Sequence, residues 1–153
     1  MKNKTFYAVI PARGGSKGVP KKNIILVNKK PLISYTIAQA LESKLISKVF
    51  VSTDNEEIAS ISKNYGAIIP FKRPKKISGD YSTDFEVFYH LAKYMKKKGD
   101  LPDYFVHMRP TNPIRKIATI NKAINYILNN GNYDSLRSVS SANQSPYKMW
   151  RIK

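Results

Sequence analysis

The chain has 153 residues, 42% hydrophobic and 24% charged, a balance that suits one globular domain with its own core and excludes wholesale disorder. It contains no cysteine, which excludes a disulfide scaffold, thiolate zinc sites and a cysteine nucleophile. Lys and Arg number 27 against 10 Asp and Glu, a formal charge of +17 that favours polyanionic partners: nucleic acid, anionic membrane or phosphorylated small molecules. Part of that charge is a solvated lysine face, as at Lys93, Lys96, Lys97 and Lys98, so charge alone assigns no function. No apolar run approaches membrane-spanning length, and residues 1–15 lack the apolar core of a signal peptide. The expected setting is the cytoplasm.

Strand and helix patterns alternate along the chain. Phe6-Tyr7-Ala8-Val9-Ile10 is a nearly continuous apolar run, as in a strand buried on both faces. A Gly- and Lys-rich stretch over residues 13–30 follows, and then Ile33, Ile37, Ala40 and Leu41 recur at helical spacing. Val49-Phe50-Val51 reads as a second strand. Asp54 with Glu57 predicts a capping box opening a helix through Ile58 and Ile61, with Gly66 just past its end. Ala67-Ile68-Ile69 predicts a short third strand. Thr83 with Glu86 predicts another capping box, opening a helix through Val87, Leu91 and Tyr94. Tyr104-Phe105-Val106 reads as a fourth strand, Ile117, Ile120, Ile124, Ile127 and Leu128 as the clearest helical stripe, and Ser138-Val139 as the start of a fifth strand. Residues 147–153 look like a strand under way.

This order predicts an α/β fold: a three-layer arrangement with a mostly parallel sheet and helices on both faces. Ligands in such sheets bind beyond the carboxyl ends of the strands. Residues 13–23, 52–55 and 109–116 all follow strand ends and are expected to meet on one edge.

The strongest chemical signal is Pro11-Ala12-Arg13-Gly14-Gly15-Ser16-Lys17-Gly18, directly after the first strand. Glycines let the backbone approach an anion and aim amide N–H groups at it. Arg13, Lys17, Lys21 and Lys22 add charge-assisted donors. A polyphosphate is the natural guest, although the spacing matches neither the P-loop nor the dinucleotide fingerprint. A flexible surface loop is the bland alternative. His90 and His107 lack metal-ligand partners at useful spacing and read as structural. Tyr126 and Tyr133 read as packing residues rather than base-stacking ones.

The run from Ile10 through Ile24 (Ile-Pro-Ala-Arg-Gly-Gly-Ser-Lys-Gly-Val-Pro-Lys-Lys-Asn-Ile) resembles the signature of the acylneuraminate cytidylyltransferases, the CMP-sialic acid synthetases and their relatives. Pro31-Leu32-Ile33, Val51-Ser52-Thr53-Asp54, Glu56-Glu57-Ile58-Ala59, Arg73-Pro74, Asp80, Thr83, Arg109-Pro110-Thr111-Asn112-Pro113-Ile114-Arg115 and Ser145-Pro146-Tyr147-Lys148 continue the likeness in the family's order. The resemblance implies a nucleotide-diphospho-sugar transferase-like, Rossmann-like fold and a nucleotidyltransferase that moves CMP from CTP to an acidic nine-carbon sugar, with Mg2+. It implies catalytic roles for Arg13 and Lys22, and nucleotide contacts from Arg13, Gly14, Gly15, Ser16, Lys17, Lys22 and Asn23. It further maps Arg73, Asp80 and Thr83 to the cytosine and ribose pocket and Arg109 to the acceptor sugar.

Two departures accompany it. Arg109 stands where many members have Gln, which adds a cation facing the acceptor, and the family's metal-binding Asp-x-Asp does not occur within the chain. The expectation is therefore one nucleotidyltransferase domain over residues 1–153 that lacks its C-terminal part, from a family that is homodimeric at full length. No nucleic acid or membrane partner is expected. The competing readings are a catalytically incomplete nucleotide-binding fragment and a basic nucleic-acid-binding module. The second would show steep salt dependence, but the Lys residues are scattered and no nucleic-acid motif is evident.

Overall fold

The leading apolar run folds as β1 (Phe6–Pro11) and lies in the middle of a parallel sheet. This computed structural model describes residues 4–131 and 133–139. After β1 the chain turns through a 3-10 segment, Lys22–Ile24, into a hairpin of β2 (Leu26–Val27) and β3 (Lys30–Pro31). Asn28 and Lys29 both take positive φ at its tip (46° and 63°), the twist that a two-residue hairpin loop requires. Helix α1 (Leu32–Glu42) returns the chain to β4 (Lys48–Ser52), which pairs parallel with β1. Helix α2 (Glu56–Asn64) follows, then α3 (Asp84–Lys97), β5 (Tyr104–His107) on the other side of β1, and α4 (Ile117–Asn129).

The period-2 alternation of β1 divides the core. Phe6, Ala8 and Ile10 pack with Ile33 and Ile37 of α1, Ile58 of α2, and Ile124 and Ile127 of α4. Tyr7 and Val9 face the opposite way, against Phe50 of β4 and Leu91 and Met95 of α3. Helices therefore cover both faces, and a strand buried on both sides needs the unbroken apolar run that β1 has. The three-layer, mostly parallel architecture expected from the sequence is present.

Some local expectations need correction. Asn55, not Asp54, caps α2: its side-chain oxygen accepts the Ile58 N–H at 3.0 Å. Both residue types are good caps, and here Asp54 is engaged elsewhere. Ala67-Ile68-Ile69 forms no full strand. Ile68 makes a single parallel bridge to Phe50, donating to Val49 O at 2.8 Å and accepting from Val51 N at 3.0 Å. Residues 135–139 have no regular structure, and Val139 is 89% exposed. The remainder of that expected strand, the segment 147–153 and the Ser145–Lys148 likeness lie outside the described residues. Thr83 and Glu86 form the capping box as expected, and Gly66 takes φ 91° just past α2.

The chain runs from β1 outward to β4 and the Ile68 bridge, then crosses back to β5 on the far side of β1. Strand order thus reverses between β1 and β5, which makes their carboxyl ends the topological switch point.

Candidate active site

A cavity of about 450 Å³ opens at that switch point, between Pro11 at the end of β1 and Arg109 just after β5. Each wall has a local cause. The loop after β1 curls back because Gly14 lies against Asn55: a Cβ at Gly14 would sit 2.9 Å from the Asn55 Cβ, so glycine is required there by packing. The Gly14 N–H donates to Asp54 Oδ1 at 2.9 Å. Buried Asn23 donates from Nδ2 to the Arg13 carbonyl at 2.9 Å, closing the loop on itself. Gly15 and Gly18 face open space and are not sterically required.

Arg13 reaches across the mouth. One guanidinium nitrogen donates to Gly79 O at 2.6 Å, and the other lies 3.0 Å from Asp80 Oδ1. Lys17 meets the second Asp80 oxygen at 2.5 Å. That Lys17 contact, more than the Arg13 one, holds the Asp80 carboxyl below the usual carboxylate range. Both pairs are solvent-accessible, so each adds little to stability. Asp80 occupies the position between two cations that an anionic ligand would take.

The floor is different. Arg73 is only 4% exposed, and burial pushes its guanidinium pKa down from the ordinary value while nearby Asp54 pulls it up. Its backbone N–H bonds Thr53 O at 2.7 Å, its Nε donates to Ser78 Oγ at 3.1 Å, and its Nη2 lies 3.8 Å from Asp54 Oδ1. A guanidinium has five N–H donors. Among the described residues only the Nε donor has a protein hydrogen-bond partner, and the side chain lines the cavity.

On the β5 side, Arg109 pairs with Asp84 in the first turn of α3, and His107 lies 3.8 Å from the same carboxylate. Burial lowers the His107 pKa and Asp84 raises it, with burial the larger effect. Arg115 pins the loop from beneath, donating to Arg109 O at 2.5 Å and to Thr36 Oγ1 at 3.3 Å.

The structure brings Arg13, Ser16, Lys22, Asn23, Arg73, Asp80, Thr83 and Arg109 around this one cavity. Gly14, Gly15 and Lys17 belong to the same loop without lining it. Asp54, Ser78, Gly79 and Asp84 were not singled out as site residues. Asp84 reads in the sequence as a helix first-turn acid, and Asp54 as a cap; their partners lie 25 and 40 residues away. His90 sits edge-on against Phe71 at 4.5 Å, as a packed ring would, whereas Tyr126 and Tyr133 stack on each other at 6.2 Å with both rings exposed. The site is a cleft beyond the carboxyl ends of β1 and β5, lined by Arg13, Lys22, Arg73 and Arg109 against Asp80 and Asp84, and suited to an anionic ligand.

Comparisons with known proteins agree with that geometry. The chain is 40% identical over 114 residues to a pseudaminic acid cytidylyltransferase of Campylobacter jejuni, covering 74% of this chain and 48% of that protein. It is 36% identical over 140 residues to an N-acylneuraminate cytidylyltransferase of Escherichia coli, covering 91% and 32%. A CMP-N,N'-diacetyllegionaminic acid synthase of Legionella pneumophila is 38% identical over 119 residues, covering 78% and 51%. The chain thus spans about half the length of these relatives or less. Among solved structures, a CMP:2-keto-3-deoxy-manno-octonic acid synthetase complexed with CTP superposes with a TM-score of 0.69 at 20% identity, over 84% of this chain and 49% of that one. A 4-diphosphocytidyl-2C-methyl-D-erythritol synthase gives 0.65 at 11%, over 82% and 55%. These likenesses show the nucleotide-diphospho-sugar transferase fold. The profile of the family described as cytidylyltransferase matches residues 7–149, and the chain belongs to that family.

Proposed function

We propose that this chain carries the nucleotide-binding part of an acylneuraminate-type cytidylyltransferase, which transfers CMP from CTP to an acidic nine-carbon sugar such as sialic acid or a relative. The observation that carries this reading is the convergence of Arg13, Lys22 and the buried Arg73 on one cavity at the sheet's switch point. In the reaction the anomeric hydroxyl gives up its proton and its oxygen bonds the α-phosphorus. The bond to the β-phosphate breaks, and pyrophosphate leaves with the electron pair. Negative charge grows on that leaving group, so fixed cations beside it lower the barrier.

Arg13 and Lys22 supply that charge, Ser16 lines the triphosphate seat, and Gly14, Gly15 and Lys17 shape the loop that carries it. Asn23, which donates one Nδ2–H to the Arg13 carbonyl, keeps a second N–H for the α-phosphate and an oxygen that can accept from a ribose hydroxyl. Arg73, Asp80 and Thr83 serve the cytosine and ribose side. Arg109, 64% exposed and paired with Asp84, is placed to exchange that carboxylate for the acceptor's. CTP therefore has to displace Asp80 from Arg13 and Lys17.

Mg2+ belongs to the proposal as the ion accompanying the triphosphate, but the described residues do not fit it. No three carboxylates or imidazoles among them converge on a common point, and Asp54, Asp80 and Asp84 each face a cation. The reading also includes a cytoplasmic setting, no nucleic-acid or membrane partner and a homodimeric full-length enzyme; no described helix is long and apolar enough to cross a membrane.

The test is pyrophosphate release from CTP in the presence of sialic, legionaminic, pseudaminic or ketodeoxyoctonic acid. Release that requires both CTP and sialic, legionaminic or pseudaminic acid supports the proposal, whereas release with ketodeoxyoctonic acid alone would move the acceptor to an eight-carbon acid. CTP binding without release from any of them would assign the chain as a catalytically incomplete nucleotide-binding fragment.

A further inference from the structure

We infer that Asp54 is a positioning residue that holds the triphosphate loop and the buried guanidinium of Arg73 in register, so that one ligand can engage both. The inference rests on the functional reading above and deepens it. Asp54 follows the carboxyl end of β4, and Asn55 has taken over the capping of α2. The carboxylate is thereby released from the helix end and turns to Gly14 and Arg73. Its Oδ1 accepts the Gly14 N–H at 2.9 Å and lies 3.8 Å from Arg73 Nη2. A single oxygen atom links the loop that follows β1 to the floor of the cavity.

Arg13 and Lys17 of the loop also reach Gly79 O and Asp80, but through solvent-accessible contacts at the cavity mouth; among the described contacts Asp54 is the one that joins the Gly14 backbone to the Arg73 guanidinium itself. Arg73 is held from its own segment by Ser78 and by Thr53 O, and Gly14 by the close approach of Asn55. A buried guanidinium keeps its charge, so its burial is costly without a nearby counter-charge, and Asp54 is the acid that pairs with it. Gly14 in turn sets the path of the backbone that carries Arg13, Gly15 and Ser16. A ligand joining a polyphosphate to a base gains over its separate halves only when both half-sites are pre-set at the matching separation. Asp54 supplies that match.

The experiment compares CTP with inorganic tripolyphosphate, which occupies only the loop side, by calorimetry on the whole chain. Asn in place of Asp54 keeps an oxygen for the Gly14 N–H but removes the charge facing Arg73. Asp54→Asn is expected to weaken CTP about tenfold while tripolyphosphate stays within about twofold. Asp54→Ala, which loses both contacts, is expected to weaken both ligands. Equal loss of both ligands in Asp54→Asn, or loss of neither, overturns the inference, because a purely architectural carboxylate would not separate them. If Asp54→Asn does not fold, Ser78→Ala removes the other side-chain tether of Arg73 and must give the same split, about threefold on CTP alone; an unchanged ratio overturns the inference. A wild-type chain that binds neither CTP nor tripolyphosphate would overturn the functional reading beneath it, an outcome distinct from equal loss in the variant.

Discussion

The loops after β1 and after β5 both deliver an arginine to one cavity, but they are anchored in different ways. The first is held by Gly14 against Asn55, by the Gly14 N–H on Asp54 and by Asn23 on the Arg13 carbonyl. Beneath it lies a guanidinium that is almost wholly buried. The second is pinned by Arg115, yet its functional cation, Arg109, projects from the surface and meets Asp84 across an accessible ion pair. Groups that must meet a ligand in fixed geometry are better placed on a packed scaffold. On the proposed function, the loop after β1, offered to the nucleotide, is therefore pre-organised and the loop after β5, offered to the acceptor, adjustable.

The largest expected effect falls on the pre-organised side. Arg13→Ala removes the charge-assisted donors proposed to meet phosphate, each worth about 1.5–3 kcal/mol, so CTP affinity should fall by ten- to about a hundredfold by calorimetry. A change below about twofold would break the contrast between the loops. Gly14→Ala comes next. Its Cβ would lie 2.9 Å from that of Asn55, an overpacking that costs about 1–3 kcal/mol. Thermal unfolding should shift down by roughly 2–4 °C per kcal/mol in a domain of this size, whereas Gly15→Ala, in open space, should leave it nearly unchanged. Thr83→Ala dissolves the capping box of α3 and should cost about 1 kcal/mol in the same measurement. Arg109→Gln should leave CTP affinity within about twofold, since exposed pairs contribute little, while weakening the acidic sugar. A large loss of CTP affinity would make the β5 loop part of the nucleotide seat.

The smallest effect lies at the far end of the same strands. Asp103 accepts the Thr5 N–H at 2.8 Å and pairs with Lys4 at 3.0 Å, tying the start of β1 to the start of β5. The Thr5 N–H first, then Lys4 and the Thr5 hydroxyl, hold its carboxyl at about 2, from an ordinary value of 3.8. The folded value lies below the unfolded one, so the contribution is complete above the ordinary value and is lost as pH falls towards about 2. Asp103→Asn should flatten the stability profile in that acid window, followed by thermal melts between about pH 5 and pH 2, with CTP affinity at neutral pH unchanged.

Much of this arrangement was legible in local pattern. The unbroken apolar run of β1 announced a strand buried on both faces, and Thr83 with Glu86 announced α3 because both halves of a capping box lie within one turn. The glycine- and lysine-rich loop does line the cavity, through Arg13, Ser16 and Lys22, while the anion and the nucleotide proposed for it come from its charge and from the likeness carried by residues 10–24. Asp54 was misread because Asp54 and Asn55 are adjacent residues with equal capping chemistry, and only the tertiary demand of Gly14 and Arg73 decides between them. Ala67-Ile68-Ile69 has a strand's composition but makes only one bridge. The Asp84 pairing with Arg109 spans 25 residues, a separation at which no periodicity or cap signal operates.

The central claim is that the pre-organised side of this cavity is a seat for CTP. Calorimetric titration with CTP, UTP, ATP and a short DNA duplex tests it most directly. Saturable binding that favours CTP over UTP and ATP, and that Arg13→Ala removes, is the predicted result. Duplex binding that collapses with added salt, with no preference among the mononucleotides, would contradict it and reassign the positive charge to nucleic-acid contact.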